Sequence, residues 1–594
     1  MKKIYQSIIF LVAALFGVGA CTDNFEEINT RPDRVTATHP DYIFGLTTVK
    51  TLRELTNDNN WFFFGNYTNQ WSVIGGSGPH FGFDGRSDRI WNNLYTGALN
   101  PLFSIINNPE YAENPEFTNR IAIAKIWRSY VFSQLVGLYG PLPYTDACNG
   151  QATIMYDKEE DVYRGILNEL KEAYEALKTT GDKYPENAEP FLKSDIRRWG
   201  QFAHCIRLRT AIRLTEVPEE WAPGLAQEAR DIVKEELSSA QNLISDNSGN
   251  FFMKFGEKQE EQNPLYRDVI SNSELVTADP GNFPVIHESL VLWMSPDTYD
   301  DPCLDVYMTK GSGGTPMNPL PVYLGRPHSM ESPQDYDSYK PIGWSSPYEG
   351  LRYKDFATVG KEFSKMTANF YFFSYAELCF IRAEAAYKGY WGAVGNAQTY
   401  YYNGIDARCT KYISEEGKAL VSTSNIEAYK KVSGIAWDTE SDTVTSRRVD
   451  GEAFRDYLGI VDSYLGKEDN FKRIIVQHWI SLFAHNIDNY TLLRRTEVIP
   501  FKPHFGVDQN NGYVDARYGY TPERIIYPGT ERSINKKETY FAIDNYLLDK
   551  GNAPAGQQDQ VTYRLIYAKD NPGLLNPGPV YTSPLPNMAR NRIK

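Results

Sequence analysis

"EDVYRGILNELKEAYEAL" (160–177) and "DIRRWGQFAHCIRLRTAIRL" (195–214) are the stretches that set the architecture. In the first, Val162, Tyr163, Ile166, Leu167, Leu170, Ala173, Tyr174 and Leu177 recur at steps of three and four, so one apolar stripe runs along a helix. Glu159, Glu160 and Asp161 stand at its start, where the positive end of the helix dipole favours negative charge. In the second, Trp199, Phe202, Ala203, Ile206 and Leu214 mark another helix, and Ser194 is placed to cap it.

The two helices begin about 36 residues apart, near the ~34-residue helix–turn–helix period of tetratricopeptide repeats. The spacing predicts helical pairs stacked on one another. Outward from this pair the texture persists. Ile123, Trp127, Tyr130, Val131 and Leu135 predict a helix over 118–138, stopped by Gly137 and Gly140-Pro141. Pro223 begins another that runs to Ile244. "YFFSYAELCFIRAEAAYKGY" (371–390) and "NFKRIIVQHWISLFAH" (470–485) read as further helices of the same scaffold. Between 246 and 350, and again over 495–594, Gly, Pro, Asn and Asp become dense and the helical period fades. These segments are expected to form irregular layers over the scaffold. The predicted fold is mainly α, a tetratricopeptide-like helix-pair scaffold with long irregular, loop-rich segments on the ligand face. Without a Gly/Ser or Pro linker or a heptad run, residues 41–594 read as a single domain.

The N-terminus carries an address. Lys2 and Lys3 precede an apolar run from Ile8 to Val18, too short to span a bilayer, which needs about 20 apolar residues. Charge, then an apolar run, then small residues is the form of a secretory signal. Here Val18-Gly19-Ala20 leads into Cys21, which resembles a bacterial lipobox. That resemblance implies a signal peptide over 1–20, cleavage before Cys21, lipidation of its thiol and a tether over 21–40. Several acyl chains anchor a protein where one is marginal.

The chain has 594 residues and a formal net charge of −14. Loss of the first twenty residues removes two lysines and no acid, so the mature chain is more acidic still. Such a balance argues against nucleic acid and against electrostatic binding to anionic lipid. Besides Cys21 there are Cys148, Cys205, Cys303, Cys379 and Cys409, with no C-x-x-C, so neither a zinc ribbon nor a redox pair is indicated. Five is odd, so at least one thiol stays free, and small buried core residues are the expected role. Aromatics make up 14% of the chain, a supply that serves both core packing and binding.

Catalytic motifs are missing. There is no H-E-x-x-H and no P-loop, and Ser77 in "GGSGP" has Pro79 where G-x-S-x-G needs its last glycine. "DQNNGYVD" (508–515) fails the EF-hand spacing at Gly512 and lacks the closing Glu. "SPDTYDDPCLD" gathers Asp297, Asp300, Asp301 and Asp305; a structural calcium ion there competes with the commoner solvated acidic turn. His478 and His485 share a helix face, but two histidines do not make a zinc site, and a satisfied structural role is expected. No catalytic residue, metal or cofactor is assigned.

Several stretches together resemble the SusD/RagB family of outer-membrane lipoproteins, in its SusD-like, starch-binding-associated branch. They are "CTDNFEEINTRPD" (21–33), "AKIWRSYVFSQLVGLYGPLPYTDA" (124–147), the two helices quoted first, "YAELCFIRAEAA" (375–386) and "ERIIYPGTERSIN" (523–535), in that order. Pro141-Leu142-Pro143-Tyr144 departs from the family's usual Gly-(Asp)-Ile-Pro-Tyr turn. The resemblance implies a non-enzymatic nutrient binder on the outer membrane, facing the exterior as the acids after Cys21 suggest. It would act as a lid on a SusC-like TonB-dependent transporter, capturing an oligosaccharide or, in some members, a peptide. A surface glycoside hydrolase and a purely structural partner of the barrel are the competing readings.

Sugars offer CH-rich faces to aromatic rings and hydroxyls to polar side chains. Aromatics in the Gly-rich loops are therefore the ligand-binding candidates: Trp61, Trp71, Phe81 and Phe83 in 60–86, and Trp344 and Tyr348 beside Arg352 in 339–353. Ordinary packing competes for each. Trp127 and Trp199, on apolar helix stripes, are assigned to the core.

Overall fold

The computed structural model describes residues 39–56, 64–73, 84–271, 284–296, 299–312, 314–315, 318–319, 322–326, 355–414, 416–438, 469–496, 498, 523–548, 559 and 563–568. Cys21, with the predicted signal peptide and most of the tether, lies outside the described residues.

The N-terminal half is a stack of helices. α1 (Pro40–Thr56) lies against a rod made of α2 (Asp84–Trp91), a π-helical stretch (Asn92–Leu99) and α3 (Asn100–Ile106). α4 (Thr118–Tyr139), α5 (Glu159–Ala176), α6 (Ile196–Leu214) and α7 (Leu225–Ser238) follow, each packed on the one before, as stacked helical pairs are. The predicted stripe of α5 is buried at Val162, Tyr163, Ile166, Leu167, Leu170 and Ala173. Trp127 and Trp199 are fully buried with ring centroids 6.1 Å apart.

Several predicted boundaries move, each for a local reason. α4 runs through Gly137 and ends at Gly140, whose φ of 82° is open to glycine. Gly137 instead makes room: a Cβ there would stand 2.9 Å from an Arg213 guanidinium nitrogen. The cap of α6 is Asp195, whose carboxylate accepts from the Arg198 N–H, and not Ser194, which sits at φ 52°. α7 starts after Gly224 and stops at Ser238, short of Ile244. Residues 371–373 belong to a strand, and the following helix, α8 (Tyr375–Tyr387), is capped by Ser374. The predicted helix over 470–485 is α10 (Asn470–Ser481), followed after a turn by α11 (Asn486–Thr496). The C-terminal irregular region contains a regular helix, α12 (Lys536–Tyr546).

α8 pairs with α9 (Ala397–Thr410), and both pack on α10. Two apolar cores result, and α8 serves both. Leu378, Ile381 and Ala385 join the core of the N-terminal stack, whereas Ala376, Phe380 and Ala383 join the second. The second core is covered by short strands: β1 (Trp71–Val73), β3 (Pro284–Ile286), β5 (Thr358–Val359) and β4 (Met308–Thr309), antiparallel in that spatial order, with Trp71 opposite Ile286 and Met308 opposite Val359. A separate ladder joins β2 (Phe251–Met253) to β6 (Phe370–Phe373).

Residues from the C-terminal region return to finish α4. The last carbonyls of a helix lack intrahelical donors. Here Leu138 O accepts from Ile525 N at 2.9 Å, Gly137 O from Arg494 at 2.7 Å and from Tyr567 Oη at 2.7 Å, and Tyr139 O from Arg524 at 3.1 Å.

Candidate ligand-binding cleft

Of the sequence-selected ligand residues, Trp61, Phe81, Phe83, Trp344, Tyr348 and Arg352 lie outside the described residues. Trp71 is described, and it is a core residue: fully buried, with its ring stacked on Phe483 at 4.6 Å in the second core. The loop around it is Gly-rich, but the strand pairing of β1 turns this indole inward.

In the acidic turn, Asp301 and Asp305 have protein partners. Asp301 is buried and pairs with Arg408 through both oxygens, at 3.2 and 2.7 Å, while its Oδ1 accepts the Cys303 N–H at 2.8 Å. Asp305 accepts from Tyr323 Oη. Asp300 sits at φ 54°, and Asp297 lies outside the described residues. A carboxylate committed to a guanidinium is a poor calcium ligand. His478 is buried, its ring stacked near Phe380 at 5.8 Å, and neither ring nitrogen has a hydrogen-bond partner among the described residues. His485 packs on Phe370 at 4.9 Å.

An open cleft of about 600 Å³ lies where the loop 190–195, the first turns of α6, residues 244–250 and β2 converge. Its shape begins with Glu189. That buried carboxylate accepts Leu192 N at 2.8 Å, Ser194 N at 2.5 Å and Trp199 Nε1 at 3.1 Å, which folds the loop back over the start of α6. Burial pushes the Glu189 carboxyl above its ordinary range, although these donors favour the charged form. Lys193 and Ser194 take left-handed backbone within that turn.

The walls are cationic. Lys193, Arg197 and Lys254 are exposed, and Arg198 is half-buried; Asp195 is the one carboxylate among the described lining residues. Arg198 is held in place, its guanidinium 4.3 Å from the Phe251 ring and donating to Asn250 O at 3.0 Å. Burial lowers its pKa. Arg197 and Arg198 stand in the first turn of a helix, where the dipole repels cations. That placement against the field is the sequence signal that could have found the site; the apolar stripe of 195–214 carries no trace of it. Phe252 adds an aromatic face, tilted against Tyr371 at 5.2 Å, and Gln201, Ser245 and Ser248 add polar groups. An aromatic ring, hydroxyls and amides beside several cations suit a polar ligand with CH faces and negative charge.

Comparison with known proteins extends this picture. A family model described as "Starch-binding associating with outer membrane" matches residues 36–522. Among solved structures, a chitin-binding protein superposes with a TM-score of 0.66 at 21% identity, covering 89% of this chain and 100% of its own. A SusD homolog from Bacteroides uniformis superposes at 0.64 with 20% identity, covering 89% and 99%. A chitin-binding SusD homolog from Flavobacterium johnsoniae superposes at 0.63 with 18% identity, covering 89% and 98%. At these identities the structures establish the fold, a tetratricopeptide-like helical scaffold. Comparison with curated proteins returned no match. Among the described residues no helix is long and apolar enough to cross a membrane. With the family model matching residues 36–522 and the fold shared with SusD homologs over 89% of the chain, this protein belongs to the SusD-like family, described as starch-binding and associated with the outer membrane.

Proposed function

We propose that this protein is a non-catalytic cell-surface lipoprotein that captures oligosaccharides and passes them to a SusC-like TonB-dependent outer-membrane transporter. The observation that carries the reading is the family match over residues 36–522. The lipobox-like approach to Cys21 supports a lipid anchor, and the acids Asp23, Glu26 and Glu27 just after it support an outward-facing one. Two of the structural neighbours are named for chitin binding, which supports a glycan rather than a peptide as the ligand.

The cleft narrows the class of glycan. Lys193, Arg197, Arg198 and Lys254 favour saccharides that carry carboxylate or sulfate, with Phe252 beneath a sugar face. Calorimetry of the purified mature chain against neutral polysaccharides, acidic polysaccharides and peptides tests the reading. Binding of a glycan without release of shorter products is expected. Depolymerisation of the glycan would return the hydrolase reading, and affinity for peptides alone would return the peptide-capturing one. Cys21→Ser is expected to move the protein from the membrane to the soluble fraction, and the wild-type chain to co-purify with a large β-barrel partner.

A further inference from the structure

Among the buried points where the irregular layer meets the helical scaffold, one brings two cysteines together. Cys303 begins a one-turn helix, Leu304–Tyr307, that leads into β4. Cys409 lies in the last turn of α9. Both thiols are fully buried, and their sulfurs are 2.9 Å apart. Cys148, Cys205 and Cys379 have no such neighbour among the described residues, which accounts for the odd count. Next to the pair, Arg408 binds Asp301. Chain neighbours of the two cysteines are thus already locked together, which fixes the sulfurs in register.

We propose that Cys303 and Cys409 form a disulfide in the mature protein, bridging the strand layer and the helical scaffold. The oxidising equivalent comes by exchange from an oxidised dithiol oxidoreductase or a small-molecule disulfide. The thiolate of one cysteine attacks the donor disulfide, forming a mixed disulfide and releasing one donor thiol. The second cysteine, giving up its proton, attacks the mixed disulfide and releases the other donor thiol. Two cysteine thiols are oxidised, and one donor disulfide is reduced to two thiols.

Placement of the chain, burial of the thiols and the commitment of Asp301 bear on this beyond proximity. The family's association with the outer membrane puts the chain past the reducing cytosol, where disulfides persist. Burial pushes the Cys303 thiol well above its ordinary pKa, so it is a poor nucleophile once folded; the bond forms as the segments dock and is shielded afterwards. The sulfurs and Asp301 also lie close enough together to hold a metal ion. Yet Asp301 spends both oxygens on Arg408, whose fixed positive charge opposes a second cation there.

The proposal rests on the extracytoplasmic reading, so the experiment separates the two. Full-length protein is taken from the outer membrane of cells quenched with an alkylating agent, and whole cells are treated with an external protease to report placement independently. Non-reducing peptide mapping is expected to recover the Cys303 peptide joined to the Cys409 peptide, with Cys148, Cys205 and Cys379 alkylated after denaturation. The reduced, denatured chain is also refolded in a glutathione redox buffer, where the same pairing is expected. Recovery of Cys303 and Cys409 as alkylated thiols from surface-exposed protein would overturn the disulfide and leave the placement standing. A bound zinc ion whose removal by chelator frees both thiols would likewise overturn it. If only the double variant Cys303→Ser/Cys409→Ser unfolds at a midpoint independent of prior reduction under denaturing conditions, the bond is confirmed; a wild-type midpoint equally indifferent to reduction would count against it.

Discussion

At the residue scale, buried ion pairs carry much of the specificity. Arg209 of α6 makes a bidentate pair with Glu377 of α8, at 2.6 Å on each arm, and reaches Asp488 of α11 at 3.2 Å. All three groups are shielded from water, so removing one partner leaves an uncompensated buried charge. Arg209→Met is expected to destabilise the fold by about 3–5 kcal/mol in denaturant titration, and Arg209→Met with Glu377→Gln to recover part of that loss. Buried acids and bases also set the pH response. Burial holds His478 well below the ordinary histidine range. The unfolded chain, with a histidine pKa near 6.5, then binds more protons, so stability present above about pH 6.5 is lost as the pH falls. Glu159 behaves in the opposite sense, because burial pushes its carboxyl up to about 8. There the folded chain holds the extra proton, and stability declines as pH rises from the ordinary carboxylate range through about 8. The thermal midpoint is expected to fall on both sides, His478→Gln flattening the acid limb and Glu159→Gln the alkaline one.

At the scale of elements, close packing of α8 on α9 needs a missing side chain. A Cβ on Gly404 would stand 2.5 Å from the Phe380 ring, and Phe380 is fully buried. Gly404→Ala is expected to cost about 1–3 kcal/mol through overpacking, despite alanine's higher helix propensity, as measured by the denaturation midpoint. The same comparison shows what periodicity can and cannot reveal. The stripe of α5 is legible because each apolar residue faces one neighbour. α8 is harder to read because it is buried on two faces by two cores and its Glu377 and Glu384 are buried too, so no solvated side marks where the strand β6 ends and the helix begins. α12 leaves little mark within its Pro- and Gly-rich stretch because only Thr539, Ala542 and Ile543 of it are buried, too few for a stripe.

At the scale of the molecule, a basic cleft sits on an acidic protein. Its cations come from the turn before α6, from α6 itself and from the residue after β2. Reversing Arg197 and Lys254 to Glu is expected to weaken binding of an acidic polysaccharide by at least tenfold while leaving the thermal midpoint nearly unchanged, because both side chains are exposed. Wild-type affinity should fall as salt rises, and the variant's should not. Equal affinity of wild type and variant for the acidic ligand, by calorimetry, would place the ligand elsewhere on the surface.

The amino-acid sequence alone determined the helix-pair scaffold, the family resemblance and the assignment of Trp127 and Trp199 to the core. These follow from spacing along the chain, and a helix folds the same spacing into one face wherever it occurs. Tertiary structure alone decided the rest. It buried Trp71 through the pairing of β1 with β3, gave Asp301 to Arg408, brought Cys303 against Cys409, and gathered Lys193, Arg197 and Lys254 around one cleft. Each of these joins residues far apart in the chain or from different elements, and convergence in space leaves no periodic mark in sequence.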